Sequence, residues 1–115
     1  MSEPALTILP ETAADAPAIE RLHERTFGPG RFARTAFRIR EGRAHTLDLS
    51  FTARIGTLMV GSVRLTPICI GETPALLLGP LTVEPPFRSH GVGTALVKRA
   101  LHEAKSGGHK LVVLV

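Results

Sequence analysis

Apolar and polar positions change period several times along this chain, and each change marks an element. Ala5 to Pro10 alternates loosely, as a short half-buried strand does. Ile19, Leu22 and Phe27 then recur at near-helical spacing, with Thr12 or Asp15 as the cap, Pro17 in the first turn, and Gly28-Pro-Gly30 as the stop. From Arg31 to Arg43, Phe32, Ala36 and Ile39 make one stripe and Arg31, Arg34, Arg38 and Arg43 fall mostly elsewhere, which predicts a second, strongly basic helix. A loop through His45 and Asp48 leads to strands near Leu49 to Ile55 and Leu58 to Ile70, joined by a tight turn at Gly56-Thr57. Gly71-Glu-Thr-Pro74 connects them to a further strand, Ala75 to Val83.

The last third of the chain has the clearest pattern. Val92, Leu96, Val97, Ala100, Leu101 and Ala104 form one apolar helix face, Thr94, Lys98, His102 and Lys105 lie opposite, and Gly107-Gly108 ends the helix. Lys110 to Val115 is a short, continuously apolar strand, expected to be covered on both faces. Strand, helix and strand at this spacing form a crossover that pairs its strands in parallel and is expected to be right-handed. The prediction is an α/β fold whose mixed sheet contains one βαβ unit, in a single domain over residues 1–115.

Composition narrows the classes of function. Hydrophobic residues make up 43% and charged residues 21%, which argues against disorder. No apolar run approaches the ~20 residues of a membrane span, and the Met-Ser-Glu-Pro start lacks a basic region and an apolar signal core, so a cytoplasmic protein is expected. Cys69 is the single cysteine and reads as a packed strand residue rather than a nucleophile. His23, His102 and His109 have no metal-ligand spacing with it or with any acid, so no metal site is expected. The net charge of +4 comes mostly from arginine and suits an anionic ligand. Nucleic acid is disfavoured, because there is no Trp or Tyr to stack on bases and no recognisable binding motif.

The chemistry-bearing segment is Leu81-Thr-Val-Glu-Pro-Pro-Phe-Arg-Ser-His-Gly-Val-Gly-Thr-Ala-Leu96, where an apolar strand runs into a glycine-punctuated helix start. A helix N-terminus presents unpaired N–H groups and partial positive charge. Gly91 and Gly93 let backbone approach an anion, and Arg88 adds a full charge. The segment therefore reads as a diphosphate cradle. It is not a P-loop, since no Lys-Ser/Thr pair follows the glycines. It does not match a dinucleotide fingerprint either, because Leu96 stands where a third small residue belongs and Leu111-Val-Val-Leu-Val115 where an acid belongs.

Read from Val83 to Gly93, Val-x-Pro-x-x-Arg-x-x-Gly-x-Gly resembles the acetyl-CoA-binding motif of the GCN5-related N-acetyltransferase (GNAT) superfamily. Upstream, Ala75-Leu-Leu-Leu-Gly-Pro-Leu-Thr-Val83 is similar to the strand before that motif in a small bacterial branch, and Gly61-Ser-Val-Arg-Leu-Thr-Pro67 to its hairpin arm. The resemblance implies a three-layer α+β arrangement of this α/β fold and an acetyl-CoA-dependent N-acetyltransferase, with acetyl-CoA as cosubstrate and an amine of a small molecule or peptide as acceptor. It places backbone at Leu81, Thr82 and Val83 on the pantetheine arm and thioester, one of those amides serving as oxyanion donor. It places Arg88, Ser89, His90, Gly91, Val92, Gly93 and Thr94 around the diphosphate, His90 as a flanking side chain.

Members of the family often carry a glutamate on the strand matching Ala75–Val83, or use ordered water; that stretch has no acid here. The candidate bases are Glu84 just after it, Glu72 just before it, Asp48 and His45, each with an ordinary loop or surface role as the alternative. The tyrosine that many members use as acid has no counterpart, since the chain contains no Tyr. Members also continue past the strand matching Leu111–Val115 with a helix and two strands. The resemblance thus implies a fold lacking its C-terminal part, with an open edge at Leu111–Val115 through which a homo-oligomer could form. The alternative to an enzyme is a CoA-binding module of weak or no activity, a sensor or remnant, and beyond that a phosphate-binding crossover for another nucleotide.

Overall fold

The computed structural model describes residues 5–27 and 47–114. The basic helix expected over Arg31–Arg43, the Gly28-Pro-Gly30 stop and His45 lie outside the described residues. Five strands form one sheet in the order β1-β2-β3-β4-β5: β1 is Leu6–Pro10, β2 Phe51–Ile55, β3 Leu58–Ile70, β4 Thr73–Val83 and β5 Val112–Leu114. The first three pairings are antiparallel, and β4 pairs with β5 in parallel. Helix α1, Ala16–Phe27, follows a 3-10 turn after β1, and α2, Val92–Ser106, is the crossover between β4 and β5. This is the mixed α/β sheet with a βαβ unit that the periodicity predicts.

Two-residue loops set the antiparallel registers. Ile55 pairs with Leu58 across Gly56-Thr57, and Ile70 with Thr73 across Gly71-Glu72. Gly56 and Gly71 each have φ of 62°, a positive value that a hairpin of this length requires and glycine adopts without strain. The second loop is thus shorter than the expected Gly71–Pro74 connection, and β4 begins two residues earlier.

Alternation, interrupted by one extra residue in β3 and one in β4, divides the sheet into two unlike faces. Toward α2 point Phe51, Ala53, Val63, Leu65, Leu76, Leu78 and Val83, which join Val92, Leu96, Ala100 and Ala104 of the helix in one buried cluster. The helix residues recur every four positions, so one side of α2 lies along the sheet. Leu101, expected on that face, is 40% exposed, because the buried stripe is narrower than the apolar one. Gly61 of β3 sits beneath the helix. A Cβ there would lie 3.0 Å from Leu96 Cδ1, 3.0 Å from the Thr82 carbonyl oxygen and 3.1 Å from Val92 Cγ1.

The opposite face, beneath α1, mixes polar side chains with buried Leu77 and Met59. Three ion pairs tie the α1 region to successive strands. Asp15 accepts from Arg54 of β2 at 2.8 Å, Glu11 receives Nε and Nη2 of Arg64 of β3 at 3.1 and 3.2 Å, and Arg25 donates to Glu84 at the end of β4. The other Asp15 oxygen accepts the Thr12 N–H at 2.8 Å, so Asp15 both caps the first turn and docks it. Ile19, Leu22 and His23 are the buried side of α1. The burial of His23 was not legible in the spacing. Thr52, Ser62, Thr66 and Thr82 are fully buried, and their hydroxyls have no hydrogen-bond partner among the described residues. Each hydroxyl left dry would cost about 1–3 kcal/mol. Four would rival the whole ~5–15 kcal/mol stability of a domain.

Two expectations are corrected at the sheet's far end. β5 is only Val112–Leu114, half-buried or exposed rather than covered on both faces, with Leu114 64% exposed. Among the described residues it pairs with β4 alone. Cys69 lies on β3 as expected but is exposed, not packed, because the β3–β4 hairpin projects beyond the helices there. No helix of the described residues is long and apolar enough to cross a membrane.

The Gly61 contact predicts a measurable cost. Gly61→Ala should destabilise the fold by about 1–3 kcal/mol through overpacking, because the Thr82 carbonyl cannot move away as a side chain can. Urea unfolding should show a lower midpoint with an unchanged slope. An unaltered midpoint would mean that α2 can lift from the strand freely.

Candidate active site

At the end of β4 the chain enters a 3-10 turn, Pro85–His90, reverses at Gly91 with φ of 75°, and starts α2 at Val92. Pro85 and Pro86 suit the first positions of the turn, whose N–H groups need no partner, and Gly91 supplies the left-handed conformation. The first α2 hydrogen bond runs from the Ala95 N–H to the Gly91 carbonyl at 3.0 Å. The amides of Val92, Gly93 and Thr94 therefore precede the helical ladder and carry its positive dipole end.

A cavity of about 540 Å³ opens at this helix start, lined by Leu81, Val83, Arg88, Gly91, Gly93, Thr94, Val97 and Lys98. Its floor is aliphatic and its rim holds two cations. A Cβ on Gly93 would meet Val83 Cγ2 at 3.6 Å and Leu81 Cδ2 at 3.7 Å, ordinary van der Waals distances, so a side chain there would lie over the aliphatic floor. Arg88 donates from Nε to the Val83 carbonyl at 3.2 Å, which pins the turn to the strand end and leaves its Nη groups without a partner among the described residues. Exposed amides, a dipole and cations beside a hydrocarbon floor match an anion joined to an aliphatic arm.

The structure brings most of the expected binding residues to this place, in different ways. Leu81, Val83, Arg88, Gly91, Gly93 and Thr94 line the cavity. Thr82 and Val92 turn their side chains into the protein and can offer only backbone. Ser89 lies within the 3-10 turn, and the His90 ring sits 5.9 Å from that of Phe87.

The candidate bases separate. Glu72 is in the hairpin loop at the opposite end of β4, roughly 35 Å from Val83 at 3.3 Å per residue, so it cannot serve this cavity. Asp48 lies in a 3-10 turn before β2. Glu84 stays at the cradle: its N–H continues the β3–β4 ladder to the Val60 carbonyl at 2.8 Å, and its carboxylate accepts the Arg25 Nε at 2.8 Å. It is thus an acid just beyond the strand end, as expected, turned to the α1 side. Among the described residues no group of His, Cys, Asp and Glu is arranged to hold a metal ion. A second cavity, about 510 Å³ between Ile68, Pro74 and Leu111, lies at the far end of the sheet and has no helix N-terminus.

Comparisons with known proteins agree with this fold. No curated protein matches the chain. Among solved structures, a GNAT family N-acetyltransferase from Escherichia coli in complex with CoA is 28% identical, with a TM-score of 0.80 over 100% of this chain and 66% of that one. A GNAT family acetyltransferase from Brucella melitensis in complex with acetyl-CoA is 26% identical, with a TM-score of 0.79 over 96% of this chain and 75% of that one. An aminoglycoside acetyltransferase from an uncultured soil metagenomic sample, in complex with sisomicin, shares the fold at 19% identity and a TM-score of 0.70, over 96% of this chain and 76% of that one. The family profile described as Acetyltransferase (GNAT) family matches residues 16–115, and the chain belongs to that family.

Proposed function

We propose that this chain binds acetyl-CoA at the α2 N-terminus and transfers the acetyl group to an amine. The observation that carries the reading is the cavity itself. Unpaired amides at Val92–Thr94, a positive-φ Gly91, Arg88 and Lys98 surround a floor of Leu81, Val83 and Val97. The diphosphate rests on the amides and cations, and the pantetheine arm runs along the Leu81–Val83 backbone. Two relatives of similar fold hold CoA and acetyl-CoA. The acceptor approaches from the other side of the β4 end, where the Glu84 carboxylate lies.

For transfer, the chain must orient the thioester, offer a donor to the developing oxyanion and remove a proton from the amine. Backbone amides at Leu81–Val83 supply the donor. Glu84 is the acid placed to take part in proton removal, held by Arg25 against the strand end. The decisive experiment is product detection with labelled acetyl-CoA over small amines, aminoglycosides and peptides. Binding of acetyl-CoA with no acetylated product would favour the CoA-recognising module instead.

Two sets of variants separate binding from chemistry. Arg88→Ala should weaken CoA binding by about 1.5–3 kcal/mol, the worth of a charged hydrogen bond, and Gly91→Val should weaken it further by straining the φ of 75° that aims the amides. Calorimetry with CoA checks both; wild-type affinity in both folded variants would remove the diphosphate from this cavity. In steady-state assays Glu84→Gln should lower kcat and leave CoA affinity intact, whereas Glu72→Gln should change neither. A rate loss confined to Glu72→Gln would reverse the assignment.

A further inference from the structure

The contact between α1 and the end of β4 leaves part of each charged group open. Arg25 directs both Nε and Nη2 at a single oxygen, Glu84 Oε1. This uses the side-on fork of a guanidinium, a planar group with five N–H donors. The end-on fork, formed by Nη1 and the outer hydrogen of Nη2, has no partner among the described residues, and neither has Glu84 Oε2. Arg25 is 52% exposed and Glu84 17% exposed, so the pair stands at the surface. A tether between helix and strand needs the side-on contact alone. What it leaves over is one carboxylate oxygen and one bidentate donor, side by side where the acceptor approaches.

Two open groups of opposite sign suit a ligand that carries a cation and an anion close together. The surroundings speak against a polycation. Glu11 and Asp15, which the α1 region turns to the sheet, are already met by Arg64 and Arg54. The chain as a whole has a net charge of +4, a field that favours anionic groups and opposes polycations. We propose that the acceptor is an amino acid, its ammonium on Glu84 Oε2 and its carboxylate on the end-on fork of Arg25.

This assignment rests on the acetyl-transfer reading and names the substrate class for it. Arg25 touches the acceptor and not the thioester, so it sets acceptor affinity and specificity rather than the chemical step. Its hold on Oε1 also fixes the carboxylate, which leaves Oε2 in one place for the incoming ammonium. A lysine at position 25 could keep the charge opposite Glu84, but an ammonium has no second fork for a carboxylate.

The test is steady-state acetylation by the whole chain with acetyl-CoA and matched acceptors. These are the common amino acids, their carboxamides, which keep the amine and lose the anion, and sisomicin as a polycation. For the best amino acid, KM should be about 10- to 100-fold below that of its carboxamide, as expected for a charged bidentate contact. Arg25→Lys, with an unchanged melting temperature and CoA affinity, should raise KM for the amino acid by a similar factor and leave KM for the carboxamide in place. A merely structural role for Arg25 would move both acceptors alike. Equal use of amino acid and carboxamide by the wild type, a preference for sisomicin, or an equal shift of both acceptors in Arg25→Lys overturns the assignment while acetyl transfer stands. If no amine is acetylated, the acetyl-transfer reading fails and the acceptor assignment falls with it.

Discussion

The close approach of α2 to β3 over Gly61 fixes the height of the helix above the sheet, and the cradle depends on that height. With Leu96 and Val92 resting where a Cβ would stand, the helix axis runs low over the strands and its first turn meets the end of β4. The amides of Val92–Thr94 consequently face Leu81 and Val83 across a cavity rather than open solvent. A larger residue at position 61 would raise the whole helix, and the anion site would lose its hydrocarbon floor before it lost any charged group.

The two layers around the sheet are held by different physics. On the α2 side the attraction is hydrophobic and non-directional, each buried Val or Leu contributing about 1.5–3 kcal/mol, and it sets distance more than orientation. On the α1 side, Asp15–Arg54, Glu11–Arg64 and Arg25–Glu84 join the helix region to β2, β3 and the tip of β4. Directional contacts at three separated points fix both position and rotation. The most exposed of them, with Arg25 52% exposed, is worth at most about 1 kcal/mol and acts as a tether rather than a source of stability. The buried Glu11–Arg64 pair matters chiefly because removal of one partner would leave a charge without that counterpart in a dry setting.

Much of this was legible in the residues. Hydrophobic period located every described strand and both described helices, since one buried face dominates each of them, and the spacing of Pro85, Arg88, Gly91 and Gly93 marked the cradle. Contacts between segments distant in sequence were not legible. Nothing local in Glu84 announces that Arg25 will hold it, and the burial of His23 depends on a polar sheet face that exists only once β2, β3 and β4 are in register. The same holds for the buried hydroxyls: Thr52, Ser62 and Thr82 are ordinary strand residues singly and stand side by side only through pairing. Cys69 and Leu114 misled because apolar surroundings in the sequence do not ensure coverage at a sheet's periphery.

The register of β4 against β3 changes between Leu78, opposite Leu65, and Leu81, opposite Val63, so β4 carries one residue more than its partner around Gly79-Pro80. Even-numbered residues face α2 before that point and odd-numbered ones after it. The extra residue acts as a phase shift. Were the strand to run through Gly79-Pro80 in regular alternation instead, Thr82 and Glu84 would face the helix and Leu81 and Val83 the polar side, exchanging the chemistry of the two faces without altering a single side chain. A strand of this kind tolerates substitution far better than a change in its length, and the one length change that keeps every register partner is the loss of the extra residue at Gly79-Pro80.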